Sequence, residues 1–412
     1  MPSTFLTPAV IAKMAQVGLE NELVMGQQVY RDYDAEFGRT KIGDTVTIRR
    51  PIEASVKDGA TLNLEDSIEG SVSLQINRQK HVGLSFDQRD LTLTVAEFYP
   101  RFLADPIKKI ANQIDTDLFA LYADINNWAG TPGQTLNSTT DYLAGPQRLD
   151  EMSVPSGNRF CNLSPTDFYG MAGNFSGLFV QSIASTAIKE ADLPPIGGIK
   201  PYQSNNVPTH TVGAGWVGGA PLVNGASQVS TYANVRTTMT QTLNTDGWAV
   251  SLGLRVGDVF TINGVFDVNP ITKQALSRLK QFVVRTAVTT PASAVTNLAL
   301  TIYPAIIATG TYQNVSAAPA DNAIILPVGT GNVGYPQNLA FHKNAFALAM
   351  VPYAPFDEGT GIASSTINKN GLTITYSKGG DITNFRTIHR LDVMYGVKTI
   401  DERLATRLSG TA

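Results

Sequence analysis

The chain has 412 residues, a formal net charge of −3, and 43% hydrophobic against only 16% charged residues. That is enough length for two to three ordinary domains and enough apolar material for a real core, with no basic excess of the kind that marks a dedicated nucleic-acid binder. The single cysteine, Cys161, excludes an intrachain disulfide framework, and no apolar run approaches the roughly 18 residues of a membrane span.

Thr, Ser, Asn, Gln and Gly fill the charge deficit, a composition suited to β-rich proteins whose surfaces meet other protein. No basic-then-apolar leader opens the chain, so the expectation is a protein made and kept in a cytoplasm-like compartment. Residues 8–28 read as an amphipathic helical arm with Val10, Ile11, Met14, Val17, Leu23 and Val24 as its apolar positions, and Pro8 sits near its start. Residues 45–49 alternate as a strand, 51–66 are polar, and 71–77 alternate again with period two. Two such strands with a long polar tip make an extended hairpin with one apolar face, marginal on its own.

The run 92–126 carries Phe98, Phe102, Ile107, Ile110, Ile114, Leu118, Leu121 and Ile125 at steps that place them on one face of a single long helix. Pro106 either kinks it or marks a restart with Asp105 as N-cap, and Asp115 and Asp117 are expected toward solvent. Residues 127–210 mix Pro/Gly loops with short elements, including a strand at 159–163 and a helix opening at Ser164-Pro165-Thr166-Asp167. From Val212 to about 335 the composition turns to Thr, Val, Ala, Gly and Asn with short strands at regular spacing. A Gly257-Asp258 turn, a strand, an Asn263-Gly264 turn and a second strand are followed by strands at 281–288, 299–307 and 323–328. This reads as a small β-barrel inserted into a host domain. Residues 338–351 resume the earlier style, 359–371 read as a Gly-rich loop, and strands at 372–376 and 387–397 close the chain.

The chemical motifs are nearly empty. Gly213-Ala214-Gly215-Trp216-Val217-Gly218 and Gly329-Thr330-Gly331-Asn332-Val333-Gly334 match a dinucleotide fingerprint, but neither opens a helix that could receive a pyrophosphate. Asp32-Tyr33-Asp34-Ala35-Glu36 imitates a calcium loop, yet Gly38 falls one position late and Gly43 stands where the closing Glu belongs. His81, His210, His342 and His389 are scattered singly, without zinc-ligand spacing. No Gly-x-Ser-x-Gly elbow exists, Cys161 has no nucleophile signature, and Asp115 and Asp117, two apart on a helix, point apart. No catalytic, cofactor-binding or metal residues are assigned, and the expectation is that the chain is not an enzyme.

The order of arm, hairpin, long helix, mixed domain, inserted barrel and returning strands resembles the major capsid (coat) protein of tailed phages, with the Hong Kong phage capsid fold. It is most similar to the coat protein family of short-tailed Salmonella phages. Gly253-Leu254-Arg255-Val256-Gly257-Asp258-Val259-Phe260-Thr261-Ile262-Asn263-Gly264-Val265 resembles that family's Gly-Asp-centred barrel strand. Asn338-Leu339-Ala340-Phe341-His342 through Met350-Val351-Pro352 resembles its return to the core, and Met394-Tyr395-Gly396-Val397 its closing strand.

The resemblance implies an α+β fold: an N-terminal arm at 1–40 facing the interior, an extended hairpin loop at 41–90 lying over a neighbour, and the spine helix of a peripheral domain at 91–130. It implies an axial domain from 131–211 and 336–385, an inserted all-β barrel at 212–335, and a strand at 386–412 returning to the peripheral domain. It implies a self-assembling shell of hexamers and pentamers around double-stranded DNA, built in the host cytoplasm with a separate scaffolding protein and a portal, a decoration protein being left open. DNA contact would be weak and non-specific, and no membrane is involved. Candidate intersubunit contacts are the hairpin charges Arg49, Arg50, Glu53, Lys57, Asp58, Glu65, Asp66, Arg78 and Lys80; Lys57 is better read as a solvated tip residue than as a crosslinking lysine. The competing readings are a nanocompartment shell of the same fold, a hydrolase with an appended barrel, and a secreted surface-layer or adhesin protein.

Overall fold

The computed structural model describes residues 8–33, 44–54, 68–87, 102–175, 193–293, 295–354, 356–357 and 360–411. In chain order the first elements are α1 (Pro8–Glu22), α2 (Met25–Gln28), β1 (Thr45–Arg49), β2 (Ser71–Gln75), β3 (Arg78–Asp87) and α3 (Ala104–Phe119). Next come β4 (Trp128–Ala129), α4 (Thr139–Glu151), β5 (Arg159–Leu163), α5 (Pro165–Phe175), β6 (Lys200–Gln203), β7 (Thr209–Thr211) and β8 (Leu222–Val223). They are followed by α6 (Tyr232–Val235), β9 (Gln241–Asp246), β10 (Gly253–Leu254), β11 (Val259–Val268), β12 (Ala275–Val284), β13 (Val288–Thr289), β14 (Leu298–Tyr303) and β15 (Ile325–Pro327). The chain ends with β16 (Gly334–Pro336), β17 (Asn338–His342), β18 (Phe346–Met350), β19 (Ala363–Lys369), β20 (Leu372–Asp381), β21 (Arg386–Thr399) and β22 (Ala405–Leu408). Two compact units result, one from 1–47, 73–119 and 346–398, the other from 48–72, 120–345 and 399–412.

The first unit is a five-stranded antiparallel sheet in which β21 is the hub, pairing β20, β18 and, over ten residues without a register break, β3. Helix α1 packs on β19, β20 and α3. The expected apolar face of the arm is corrected: Val10, Met14 and Val17 are exposed, and Ile11, Ala12, Ala15 and Leu19 are buried. Alanines let the helix approach the sheet closely, so its buried face is the one with small residues, a choice that hydrophobicity alone does not reveal. The long helix ends earlier than expected. It is helical over Ala104–Phe119 and tightens to a 3-10 turn over Ala120–Asp124, while Phe98 lies outside the described residues. Ile107, Ile110, Ile114 and Leu118 are its buried stripe, and Pro106 falls in the first turn, where a missing donor is harmless.

The sheet corrects two further expectations. The 359–371 loop contains strand β19, seven residues paired in register with β20. The segment 336–385, expected to complete one domain with 131–211, divides: 336–345 joins the second unit and 346–385 belongs to the first. Likewise 386–398 lies in the first unit and 399–411 in the second.

The second unit holds a mixed five-stranded sheet, β4-β22-β17-β5-β6, covered by α4 and α5. Its core includes Tyr142, Leu149, Cys161, Leu163, Phe168, Met171, Ala340 and Leu408. From this base the chain leaves through β7 and returns through β16, which pair with each other. Between them runs the sheet β15-β11-β12-β14-β9-β8. A bridge between Leu222 and Ile324 brings β8 back beside β15, with Val223 N–H donating to Ala323 O at 3.0 Å and Ile325 N–H to Pro221 O at 2.9 Å. The sheet therefore closes into a barrel, which leaves no free edge. Trp216, Trp248, Phe260, Ile262, Phe282, Leu300 and Ile302 fill it.

The expected Asn263-Gly264 hairpin turn is absent. Both residues lie within the single strand β11, where Gly264 has φ +80° and the register against β12 shifts between Thr261 and Phe266. The glycine makes an irregular bend in a barrel strand instead of a reversal. Of the 41–90 hairpin, β1 and β2 form a separate two-stranded ribbon, while β3 belongs to the first unit's sheet. Residues 55–67 and 88–101 lie outside the described residues.

Candidate assembly site

The ribbon β1–β2 opens at Arg50, whose N–H donates to Gly70 O at 2.8 Å. From here 51–54 rise and 68–70 return, and both strands of this neck are gripped by the rest of the second unit. Arg50 Nη2 lies 3.1 Å from Glu402 Oε2 in a pair almost closed to solvent, and Tyr303 Oη donates to the same carboxylate oxygen at 3.0 Å. Burial raises the Glu402 carboxyl, with Arg50 opposing it. The Glu53 carboxylate is paired with Arg403 and, at 3.5 Å, with Lys273. Arg403 is itself forked onto Asp401, which together with Glu53 holds its guanidinium far above the ordinary range. A cavity of about 60 Å³ under the neck, lined by Arg50, Glu53, Lys280 and Tyr303, has room for a few waters but not for an organic substrate.

The barrel is bolted to its base by charges buried in both. Asp267 on β11 meets Arg148 of α4 and Lys280 of β12, the latter at 2.9 Å, and the side chains of Arg148 and Asp267 have no solvent exposure. Burial pushes the Asp267 carboxyl up, but Lys280 and Arg148 outweigh it and hold it below its ordinary value. Asn127 Oδ1 accepts from Arg148 at 2.8 Å, and Glu151 pairs with both Arg148 and Arg278.

At the barrel root, the buried Asp258 carboxylate accepts from the N–H groups of Gly213 and Arg255, from Trp216 Nε1 at 3.0 Å and from His210 at 2.9 Å. The other ring nitrogen of His210, Nδ1, lies 3.0 Å from Tyr122 Oη. The first glycine-rich segment is thus an anion cradle already filled by the chain's own carboxylate. Arg407 from β22 completes this junction. It donates to Gly257 O at 2.9 Å and lies over the Tyr122 and Trp128 rings, and burial brings it down to about 10.

The sequence-predicted contact residues divide sharply. Arg49 pairs with Glu69 across the ribbon and stays exposed. Arg50 and Glu53 are spent in the intrachain pairs just described. Arg78 lies 2.7 Å from Asp117, which also accepts from Tyr395 at 2.7 Å, and Lys80 is half-buried on the same strand face. Lys57, Asp58, Glu65 and Asp66 lie outside the described residues. The expectation that both helix aspartates face solvent is corrected for Asp115, which is buried and accepts from the N–H groups of Val24 and Gly26 at 2.7 and 2.9 Å, while Asp117 is half-buried.

Sequence reasoning missed Arg148, Asp267 and Lys280: Arg148 lies 119 positions from Asp267, and nothing in the strand pattern marks Asp267 and Lys280, 13 apart, as facing each other. The Gly257-Asp258 motif pointed to the barrel root alone. Cys161 is buried in β5, its thiol pushed up to about 12 by burial. Among the described residues no cluster of His, Cys, Asp and Glu could hold a metal ion, and no helix is long and apolar enough to cross a membrane.

Among solved structures the chain is similar to that of Mycobacterium phage Che8, at 12% identity over 93% of this chain and 90% of that one, with a TM-score of 0.47. It is similar to the capsid of Ralstonia phage GP4, at 9% identity over 90% and 84% of the two chains, with a TM-score of 0.42. The CUS-3 coat protein I-domain matches 27% of this chain and 96% of its own length at 29% identity, with a TM-score of 0.20. No curated protein matches in sequence. The profile of the family described as P22 coat protein, gene protein 5, matches residues 8–407, which takes in the arm, the ribbon, both sheets and the barrel. The chain therefore belongs to the P22 coat protein family and is a major capsid protein, a subunit of the shell of a tailed phage.

Proposed function

We propose that this subunit builds hexamers and pentamers of an icosahedral shell around double-stranded DNA, with the tip of the 41–90 hairpin laid over the adjacent copy while β3 stays in the subunit's own sheet. The observation that carries this reading is the match of the P22 coat protein family to residues 8–407. The ribbon β1–β2 belongs to neither five-stranded sheet. Its apolar side chains Ile48, Val72 and Leu74 are buried within the subunit, and its exposed face, with Thr47, Arg49, Ser73 and Gln75, is the surface it offers a second copy. In this reading 1–40 is an interior arm and 91–130 carries the spine helix. Residues 131–211 and 336–345 face the capsomer centre, and 212–335 bridges capsomers. Of the predicted contact residues, Arg49, which stays exposed although it pairs with Glu69, and Lys57, Asp58, Glu65, Asp66 and Lys80 remain the intersubunit candidates, whereas Arg50, Glu53 and Arg78 are engaged in less exposed intrachain pairs. Assembly takes place in the host cytoplasm with a scaffolding protein and a portal. DNA is tolerated by weak contact, which a net charge of −3 permits, and the subunit performs no catalysis.

Deleting 55–67, which spares the gripped neck, tests this. The expected product keeps its circular dichroism spectrum and thermal transition but forms no closed shells by negative-stain microscopy. Normal shells from the deletion variant would remove the loop from the account.

A further inference from the structure

The grip on the neck comes from two directions, and one of them is the barrel. Tyr312 Oη accepts the N–H of Glu53 at 3.1 Å and donates to Ile68 O at 3.3 Å, so a single hydroxyl ties the rising strand to the returning one. Its ring is stacked on Tyr232, with centroids 3.5 Å apart and planes within 4°. Gly70 passes so close to that pair that a Cβ there would stand 2.6 Å from both Tyr232 Oη and the Arg236 carbonyl oxygen. Ile68 packs on the same small cluster with Val235, Ala305 and Ile307. Lys273, also from the barrel, reaches Glu53.

We infer that the inserted barrel is the positioning element of the intersubunit arm: Tyr312, backed by Tyr232, fixes the direction in which 55–67 leaves the subunit. This rests on the reading of that segment as the arm. Two hydrogen bonds to one side-chain oxygen hold both strands at a fixed separation, and the stacked ring denies the oxygen rotational freedom. The Arg50–Glu402 and Glu53–Arg403 pairs anchor only the rising strand. With the Tyr312 hydroxyl gone the tie at Ile68 is lost, and the returning strand keeps only the Arg50 N–H to Gly70 O bond, about which the neck can pivot. A folded barrel thus holds 51–54 and 68–70 in one arrangement, and a barrel that is not folded does not.

The test compares the full-length wild type with Tyr312→Phe, which keeps the stacked ring and removes both hydrogen bonds, and with Gly70→Ala, which pushes the returning strand off Tyr232. Hydrogen exchange on free subunits is read at Glu53 and at 68–70, and shells assembled from the same preparations are imaged. The expected result is exchange at least tenfold faster at Glu53 in Tyr312→Phe. Barrel amides at Phe260 and Phe282 should be unchanged, and the yield of closed, uniform shells should fall at least several-fold. Unchanged exchange at Glu53 overturns the clasp. Faster exchange with wild-type shells overturns its role in aiming the arm. Either result is distinct from failure of the arm reading itself, which the 55–67 deletion decides. A Tyr312→Phe protein that lost barrel protection as well would also contradict the proposal, because the hydroxyl would then be holding the barrel.

Discussion

Asp115 is a carboxylate on the buried stripe of α3, turned to the break between α1 and α2, where it accepts the N–H groups that the broken helix leaves free. Burial raises its carboxyl from 3.8 to about 6 against the pull of those donors. The folded protein therefore binds this proton more tightly than the unfolded chain. The stability it contributes is complete below about 4 and is lost as pH rises to about 6, a change on the order of 3 kcal/mol. Asp115→Asn removes that titration. In urea unfolding, stability of the wild type minus that of the variant is expected to fall by roughly 2–3 kcal/mol between pH 4 and pH 7; a flat difference would show that Asp115 does not titrate this way.

Asp267 behaves oppositely, held ionised by two buried cations. Replacing it with Asn leaves Lys280 without its counter-charge and Arg148 with Glu151 alone, and a loss of about 3–5 kcal/mol is expected. The emission of Trp216 and Trp248 in the barrel core reports it, and a loss under about 1 kcal/mol would mean the cations find other partners. Neither carboxylate announces itself in the sequence. Helical spacing sets Asp115 one step from Ile114, and alternation sets Asp267 among strand residues. Only the distant chain that meets them decides that both are buried.

At the scale of elements, period was a good guide and boundaries were not. The 3.6-residue stripe of α3 and the alternation in β1, β2, β11 and β21 are visible in the residues because one face of each is buried. The helix stops at Phe119, earlier than expected, because the backbone tightens into a 3-10 turn, and nothing in Ala120-Leu121-Tyr122 forbids a further α turn. Asn263-Gly264 has the chemistry of a hairpin turn, yet a barrel strand that must bend uses the same positive φ without reversing. The ribbon neck was read only as a polar stretch, since the partners of Glu53 and Gly70 lie more than 150 residues away. Gly70→Ala, apart from its use above, is expected to lower the thermal midpoint by a few degrees, because the Arg236 carbonyl is backbone and yields only if the neck moves. An unchanged midpoint would mean the neck has more room than the 2.6 Å approach allows.

For the whole molecule, the order of segments carried more information than any motif. A barrel entered and left through the paired strands β7 and β16, within a chain whose 346–398 returns to the sheet begun by β3, is a nested topology. Composition alone showed the barrel, through its Thr- and Val-rich strands, but did not show that 336–385 is shared between two units. Shell formation follows from family membership, while the ribbon and the exposed charges near it suggest how neighbours join. The most direct measurement is electron microscopy of particles formed by the full-length chain expressed with its neighbouring gene products, with sedimentation of the same material. Closed icosahedral shells with the subunit in hexamers and pentamers are the predicted result. A stable monomer under every condition, with no capsomers, shells or tubes, would contradict the account.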